Sequence, residues 1–149
     1  MQVNWKYCSF NELSVAELYA ILQLRNEVFV VEQNCVYQDA DNKDPDSFHL
    51  SGWRDGVLVA YCRLLPPGLS FDEASIGRVV TSPFHRKSGF GRELVLLGIE
   101  KTLRQFSCTT IVIGAQLYLK LFYESLGFVQ ISEQYLEDNI PHIEMRYTA

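Results

Sequence analysis

The sequence predicts an α+β fold, a mixed and largely antiparallel twisted sheet flanked by helices, and three observations carry that prediction. Asp55-Gly56, set between two apolar segments, is the strongest short hairpin turn signal in the chain. Ser14-Val15-Ala16-Glu17 spells a capping box ahead of apolar residues at helical spacing. Residues 74–115 read as strand, helix, strand, a crossover that makes its two strands parallel. No internal repeat, low-complexity tract or linker-like composition interrupts the pattern, so the expected organisation is one domain over residues 1–149.

Val3 to Phe10 reads as the first strand, and the capped helix then runs to about Gln33. Leu18, Ile21, Leu22, Val28 and Phe29 share one face of it, with Arg25 in the middle of the stripe. A cation there needs a partner: it either anchors a buried carboxylate or binds an acidic substrate group through its bidentate fork. Residues 34–47 carry Asp39, Asp41, Asp44 and Asp46 with little apolar material, which reads as a loop, either solvated or attracting a cationic acceptor. It is not an EF-hand, because Lys43 and Asp44 stand where the Asp/Asn-Gly pair belongs. Phe48 to Arg54 and Val57 to Leu65 form the hairpin, and Pro66-Pro67-Gly68 ends it.

Ala74 to Thr81 is a further strand. The next helix, about Gly89 to Phe106, keeps Val95, Ile99, Leu103 and Phe106 on one face. Thr109 to Ala115 is a β-branched strand, Gln116 to Leu126 a helix with Gly127 as its C′ cap, and strands near Phe128 to Gln134 and Ile140 to Tyr147 close the chain. The order is β-α-β-β-β-α-β-α-β-β.

Thirteen Lys and Arg against eighteen Asp and Glu leave a net charge of −5, the wrong sign for sequence-independent nucleic-acid binding. The first residues lack the basic and apolar regions of a signal peptide, and no apolar run reaches the ~18 residues of a membrane span. The four cysteines form no C-x-x-C pair, so neither a zinc site nor a redox motif has its spacing. The reading is a cytoplasmic protein without metal, nucleic acid or membrane partner; a homodimer stays open. Cys35, in the acidic loop, has no supporting nucleophile pattern.

Residues 85–92, His85-Arg86-Lys87-Ser88-Gly89-Phe90-Gly91-Arg92, concentrate basic charge in an acidic chain. Two glycines at the mouth of a helix let backbone N–H groups approach a ligand, and the positive end of the helix favours an anion such as a pyrophosphate. No Gly-Lys-Ser/Thr closes a P-loop and G-x-G-x-x-G is absent, so neither common nucleotide motif applies. Arg-x-x-Gly-x-Gly is weak by itself. Its context, strand, Pro83, basic turn, helix, strand, strengthens it.

With Val79-Val80-Thr81-Ser82-Pro83 ahead of Arg86-x-x-Gly89-x-Gly91, the chain resembles the GNAT superfamily of acyl-coenzyme A dependent N-acetyltransferases along nearly its whole length. Phe122-Tyr123-Glu124-Ser125-Leu126-Gly127-Phe128 resembles that family's helix-and-strand motif, in which the tyrosine faces the cofactor thiol. Leu24-Arg25-Asn26-Glu27-Val28-Phe29-Val30-Val31-Glu32-Gln33, with Ile140-Pro141-His142-Ile143-Glu144-Met145, is similar to the ElaA-like subgroup.

The resemblance implies a GNAT-like fold and acetyl transfer from acetyl-coenzyme A to a primary amine of a small molecule or peptide by direct attack. It implies that backbone groups of Val79 and Thr81 pair with the pantetheine arm. It further implies that amides from Arg86 through Arg92, including Lys87, Ser88, Gly89, Phe90 and Gly91, hold the pyrophosphate. A backbone N–H at Val79 or Val80 would receive the oxyanion. Gln116, seven residues before Tyr123, would reach the same cleft, its other reading being a helix-capping or surface amide. Tyr123 would be the general acid for the departing thiolate, its other reading a packing residue.

His142 is the best candidate base by residue type and place, against a satisfied structural histidine; His49 follows, and His85 belongs nearer the phosphates. Gly77 and Arg78 occupy the strand where some relatives carry a glutamate base. Rival readings are an autoinducer-synthase-like acyltransferase, on the Leu24-Arg25-Asn26-Glu27-Val28-Phe29 segment, and a non-catalytic acyl-coenzyme A binding module.

Overall fold

A computed structural model describes residues 2–149. The described residues form β1 (Asn4–Ser9), α1 (Val15–Arg25), β2 (Phe48–Arg54), β3 (Val57–Leu65), β4 (Ser75–Thr81), α2 (Phe90–Gln105), β5 (Thr110–Gln116), α3 (Lys120–Glu124), β6 (Phe128–Gln130), β7 (Tyr135–Glu137) and β8 (Ile140–Thr148). This is the mixed α+β architecture that the sequence predicts, with one strand more at the C-terminal end.

The strands fall into two antiparallel groups, β1-β2-β3-β4 and β5-β8-β6, with β7 also pairing β8. The groups meet at a single parallel bridge, Ala74 with Ile111, where the Val112 N–H donates to the Ala74 carbonyl at 3.0 Å. Past that point β4 and β5 diverge. The parallel relation expected across the crossover is therefore confined to its first residues, and a cleft opens between the two edge strands.

A β-bulge shapes the cleft side of β4. Tyr61 pairs Val80 and Arg63 pairs Gly77, so Arg78 and Val79 together face Cys62, and Arg78 takes φ +51°. The extra residue reverses the strand's faces. Ile76 packs in the main core with Leu94, Val95 and Ile99 of α2, whereas Val80 packs with Ile21, Leu24 and Val28 below α1. The two helices thus cover opposite faces of the sheet. Each full burial of a Val, Leu or Ile side chain is worth roughly 1.5–3 kcal/mol, so both layers are substantial.

The capping box forms as expected: the Glu17 N–H donates to Ser14 Oγ at 3.0 Å and the Ser14 N–H to Glu17 Oε1 at 2.8 Å. The helix it starts does not stay α-helical to Gln33. Asn26–Glu32 is π-helical, with Gln33 N–H bonded to the Val28 carbonyl at 3.1 Å. β-Branched Val28, Val30 and Val31 crowd an α turn, and the wider π turn turns Val28, Phe29, Glu32 and Gln33 toward the cleft.

The strand expected over residues 128–134 ends at Gln130, and residues 135–137 form β7 instead. Asp138 and Asn139, at φ +51° and +63°, make the two-residue hairpin turn from β7 to β8. The helix expected from Gln116 is shorter, because Gln116 ends β5 and a 3-10 turn, Leu117–Leu119, precedes α3. No helix of the described residues is long and apolar enough to cross a membrane.

Candidate active site

The splay between β4 and β5 opens a cleft of about 1050 Å³, walled by the π-helical segment, residues 35–43, β4, β5, α3 and the β7–β8 hairpin. One end lies at the mouth of α2. Gly89, at φ +79°, precedes that helix and no side chain caps it. The first intrahelical bond runs from the Glu93 N–H to the Gly89 carbonyl, 3.2 Å. The Phe90, Gly91 and Arg92 amides before it have no acceptor within the helix, so they are free for an anion.

Phe90 offers only its amide, since its ring is buried in the core. Lys87 and Ser88 are exposed, and Arg92 Nη1 donates to Ser125 Oγ at 3.1 Å. Arg86 and Gly91 line the cleft. The Arg86 fork is already occupied, however, by Glu32 from the π-helical segment, at 2.6 and 2.9 Å. His85 is not among the cleft-lining residues, and its Nδ1 is buried without a partner among the described residues.

Midway along the cleft, Val79, Val80 and Thr81 present the free edge of β4, which is the last strand of its group. Tyr123 lies across from it on α3, 6% exposed, edge-on to Phe122 and Phe128 at 5.2 and 5.6 Å between ring centroids. Burial raises its phenol pKa well above the ordinary tyrosine value and keeps the proton on the oxygen. Gln116 lines the cleft as well, from a strand end rather than from the helix expected of it. Its amide faces that of Gln33 reciprocally at 3.3 and 3.5 Å, a polar bridge between the two sides.

At the far end, His142 stands on β8 between Gln116 of β5 and Tyr135 of β7 in register. His142 Nδ1 is 2.7 Å from the Ile140 carbonyl, which only accepts, so Nδ1 carries the proton and Nε2 has the lone pair of the neutral ring. Nε2 lies 3.5 Å from Glu137, and the ring stacks on Tyr135. Glu144, two residues along β8, faces the same cleft.

Arg25 is not part of this site. Its side chain is fully buried, with Nε 2.7 Å from Asp39, Nη1 2.8 Å from Asp44 and Nη2 3.2 Å from the Asp39 carbonyl. A substrate carboxylate would have to displace both aspartates, so the substrate-binding role read from the sequence is corrected to an anchor for the acidic loop. That loop is not a solvated run either. Asp39, Asp41 and Asp44 accept from Arg25, Arg63 and Arg78, and only Asp46 of the four remains exposed without such a partner.

Burial opposes ionisation of Asp44, but Arg25 and Arg63 hold its pKa below the ordinary carboxylate value; for Asp41, Arg63 and Arg78 do the same. His49 is buried behind the cluster, with Nδ1 2.7 Å from Tyr61 Oη and Nε2 3.0 Å from the Asp44 carbonyl, which removes it as a base. Cys35 lines the cleft, with Sγ 3.5 Å from the Asp138 carbonyl.

Glu32, Gln33, Lys43, Arg63, Tyr135 and Glu137 also line the cleft, although no motif in the sequence marks them as site residues. The alternation along β8, with Ile143 and Met145 in the core and His142 and Glu144 opposite, is the signal that reaches Glu144. The turn pair Asp138-Asn139 is the signal that reaches β7.

An edge strand beside a glycine-capped helix and a shielded phenol define an acyl-coenzyme A dependent acyltransferase, and comparison with known proteins gives the same class. Residues 15–149 match the acetyltransferase (GNAT) domain family, to which the chain belongs. The chain is 43% identical to the ElaA protein of Escherichia coli over 145 residues, 96% of this chain and 95% of that protein. An acyl-CoA N-acyltransferase of Pseudomonas aeruginosa is 44% identical, with a TM-score of 0.93 over 99% of this chain and 100% of that one. An aminoglycoside 6'-N-acetyltransferase solved with coenzyme A, 18% identical, shares the fold at a TM-score of 0.71 over 96% of both chains.

Proposed function

We propose that this protein transfers the acetyl group of acetyl-coenzyme A to a primary amine by direct attack, and the observation that carries the reading is the uncapped α2 mouth leading into the β4–β5 splay beside Tyr123. The residues present fit the cosubstrate. Phe90, Gly91 and Arg92 amides would hold its pyrophosphate with Arg86 and Lys87 adding charge, and the Val79–Thr81 edge would pair with the pantetheine amides as an added strand.

Acetyl-coenzyme A supplies an acyl group activated as a thioester. His142 Nε2 takes a proton from the acceptor nitrogen, whose lone pair forms the new C–N bond; a free alkylamine, with a pKa near ~10.4, is almost wholly protonated at pH 7 and needs such an outlet. A backbone N–H at Val79 or Val80 stabilises the oxygen as it gains charge. Tyr123 Oη donates its proton to the sulfur as the C–S bond breaks. Its burial keeps the phenol protonated before the reaction and also makes it a weaker acid, so the proton passes to the sulfur only as the thiolate charge develops.

Thiol release measured across a panel of amines tests the activity, and Tyr123→Phe tests the acid. The variant should lose roughly 10²–10⁴-fold in kcat while coenzyme A affinity by calorimetry stays within a few-fold. A fall under about tenfold, in a folded variant with chemistry as its slow step, returns Tyr123 to a packing role.

A further inference from the structure

The acceptor end of the cleft is electrically polarised, and the polarity runs across it. On the wall made by residues 35–43 and the bulged β4, the guanidiniums of Arg25, Arg63 and Arg78 balance the carboxylates of Asp39, Asp41 and Asp44. Lys43 is then in excess. Its Nζ has the Ser70 hydroxyl at 2.9 Å and no carboxylate among the described residues.

Donors also outnumber acceptors there. Arg78 uses Nε and Nη2 on Asp39 and Asp41, leaving Nη1 without a hydrogen bond among the described residues, on a side chain that is 23% exposed and lines the cleft. Arg63 Nε, deeper in the same wall, is buried with no acceptor among the described residues. The left-handed backbone of Arg78 in the bulge is a strained conformation that holds its side chain on this wall.

The β7–β8 hairpin, which meets the start of that wall where Cys35 Sγ lies 3.5 Å from the Asp138 carbonyl, carries the opposite sign. Glu137, Asp138 and Glu144 line the cleft from the β7–β8 hairpin, with the His142 ring among them. A cationic amine is drawn to that side, beside the lone pair of His142. A purely cationic acceptor leaves Lys43 and Arg78 Nη1 unanswered.

Resting on the amine-acceptor reading above, we infer that the acceptor carries a carboxylate together with its amine, the amine docking between His142, Glu137 and Glu144 and the carboxylate docking on Lys43 and Arg78. Phe71, Tyr135 and Leu65 also line the cleft and suit a short aliphatic spacer. A free amino acid and the C-terminal residue of a peptide share this chemistry.

Matched acceptors isolate the carboxylate. 5-Aminopentanoate and pentylamine both carry the amine on an unhindered alkyl chain, so their difference in kcat/KM reports the carboxylate rather than a more reactive nitrogen. 5-Aminopentanoate should be favoured about tenfold or more, as expected for a charge-assisted hydrogen bond, with the gain in KM. Lys43→Met should collapse the ratio toward one, and Lys43→Arg should restore part of it. A lysine-terminated tripeptide with free or amidated C-terminus separates the peptide source from the free amino acid.

Equal use of 5-aminopentanoate and pentylamine, or a ratio unmoved in Lys43→Met, overturns the inference while leaving amine acetylation standing. Thiol release with none of the amines, in protein that binds coenzyme A by calorimetry, overturns the amine reading itself.

Discussion

Arg25, Arg63 and Arg78 build one wall of the cleft and give their guanidiniums to Asp39, Asp41 and Asp44, whereas Arg86, Lys87 and Arg92 stand at its mouth with Glu32, among the described residues, as their one carboxylate partner. Both regions gather basic side chains in an acidic protein. The first is largely buried, only Arg78 and Asp41 being partly exposed, and it is answered by the chain's own acids, so its charge does structural work, fixing residues 39–44 as a wall. The second is exposed and sits on unpaired amides, so its charge remains for a ligand. The difference lies in the partners, not in the arginines.

The largest break in that comparison is Arg25→Met. It strands Asp39 and Asp44 with one guanidinium fewer each, and removing one partner of a buried pair typically costs about 3–5 kcal/mol. Urea denaturation should show a loss of that order, while the fraction still folded binds coenzyme A with little change. A loss below about 1 kcal/mol would mean that the cluster does not anchor the loop.

Acid should act on the same cluster. The folded-state pKa values of Asp41 and Asp44 are held below the ordinary ~3.9 of an unfolded aspartate. Their contribution is therefore complete above about pH 4 and is lost as the pH falls below it through the folded values. Stability measured from pH 6 down to 2 should drop more steeply in the wild type than in Arg25→Met.

This contrast also marks what was legible in the sequence. Strand and helix order followed from local signals, the Asp55-Gly56 turn, the Ser14–Glu17 box, the stripe of α2, because each depends on neighbours a few residues away. The helix mouth with its unpaired amides was legible for the same reason, since Gly89 and the amides after it are contiguous. The role of Arg25 was not, because its partners lie 14 and 19 residues on, in a loop whose aspartates look the same in sequence whether solvated or buried. The bulge at Arg78 was illegible too, being a matter of register against Cys62, and with it went the place of Arg78 on the cleft wall.

A smaller effect is expected from Gly89→Ala at the cradle. Nothing lies within 4 Å of the added Cβ, so the cost comes from the left-handed backbone alone, about 1–2 kcal/mol. Gly56, in the β2–β3 turn at φ +77°, has the same open surroundings and serves as the control. Both alanine variants should lose similar stability, and only Gly89→Ala should lose about tenfold in coenzyme A affinity, because only there does the backbone aim free amides. Matching affinities in the two variants would detach the cradle from the cofactor.

The smallest effect sharpens the comparison at its one overlap, the pair in which a basic residue of the cradle is answered by an acid. Glu32 and Arg86 are each 40% exposed in their side chains, and such pairs are worth about 0.2–1 kcal/mol. If the cradle's charge is kept for the pyrophosphate, Glu32 competes with the cofactor for the Arg86 fork, and Glu32→Gln should tighten coenzyme A binding by up to about fivefold without altering thermal stability beyond that range. Added salt should shrink the gain, since exposed charges are screened over about 10 Å at 0.1 M. Weaker binding in Glu32→Gln would instead make Glu32 the residue that holds Arg86 in place for the phosphates. The mouth of the cleft would then follow the same rule as its buried wall, an arginine positioned by an acid of the chain itself.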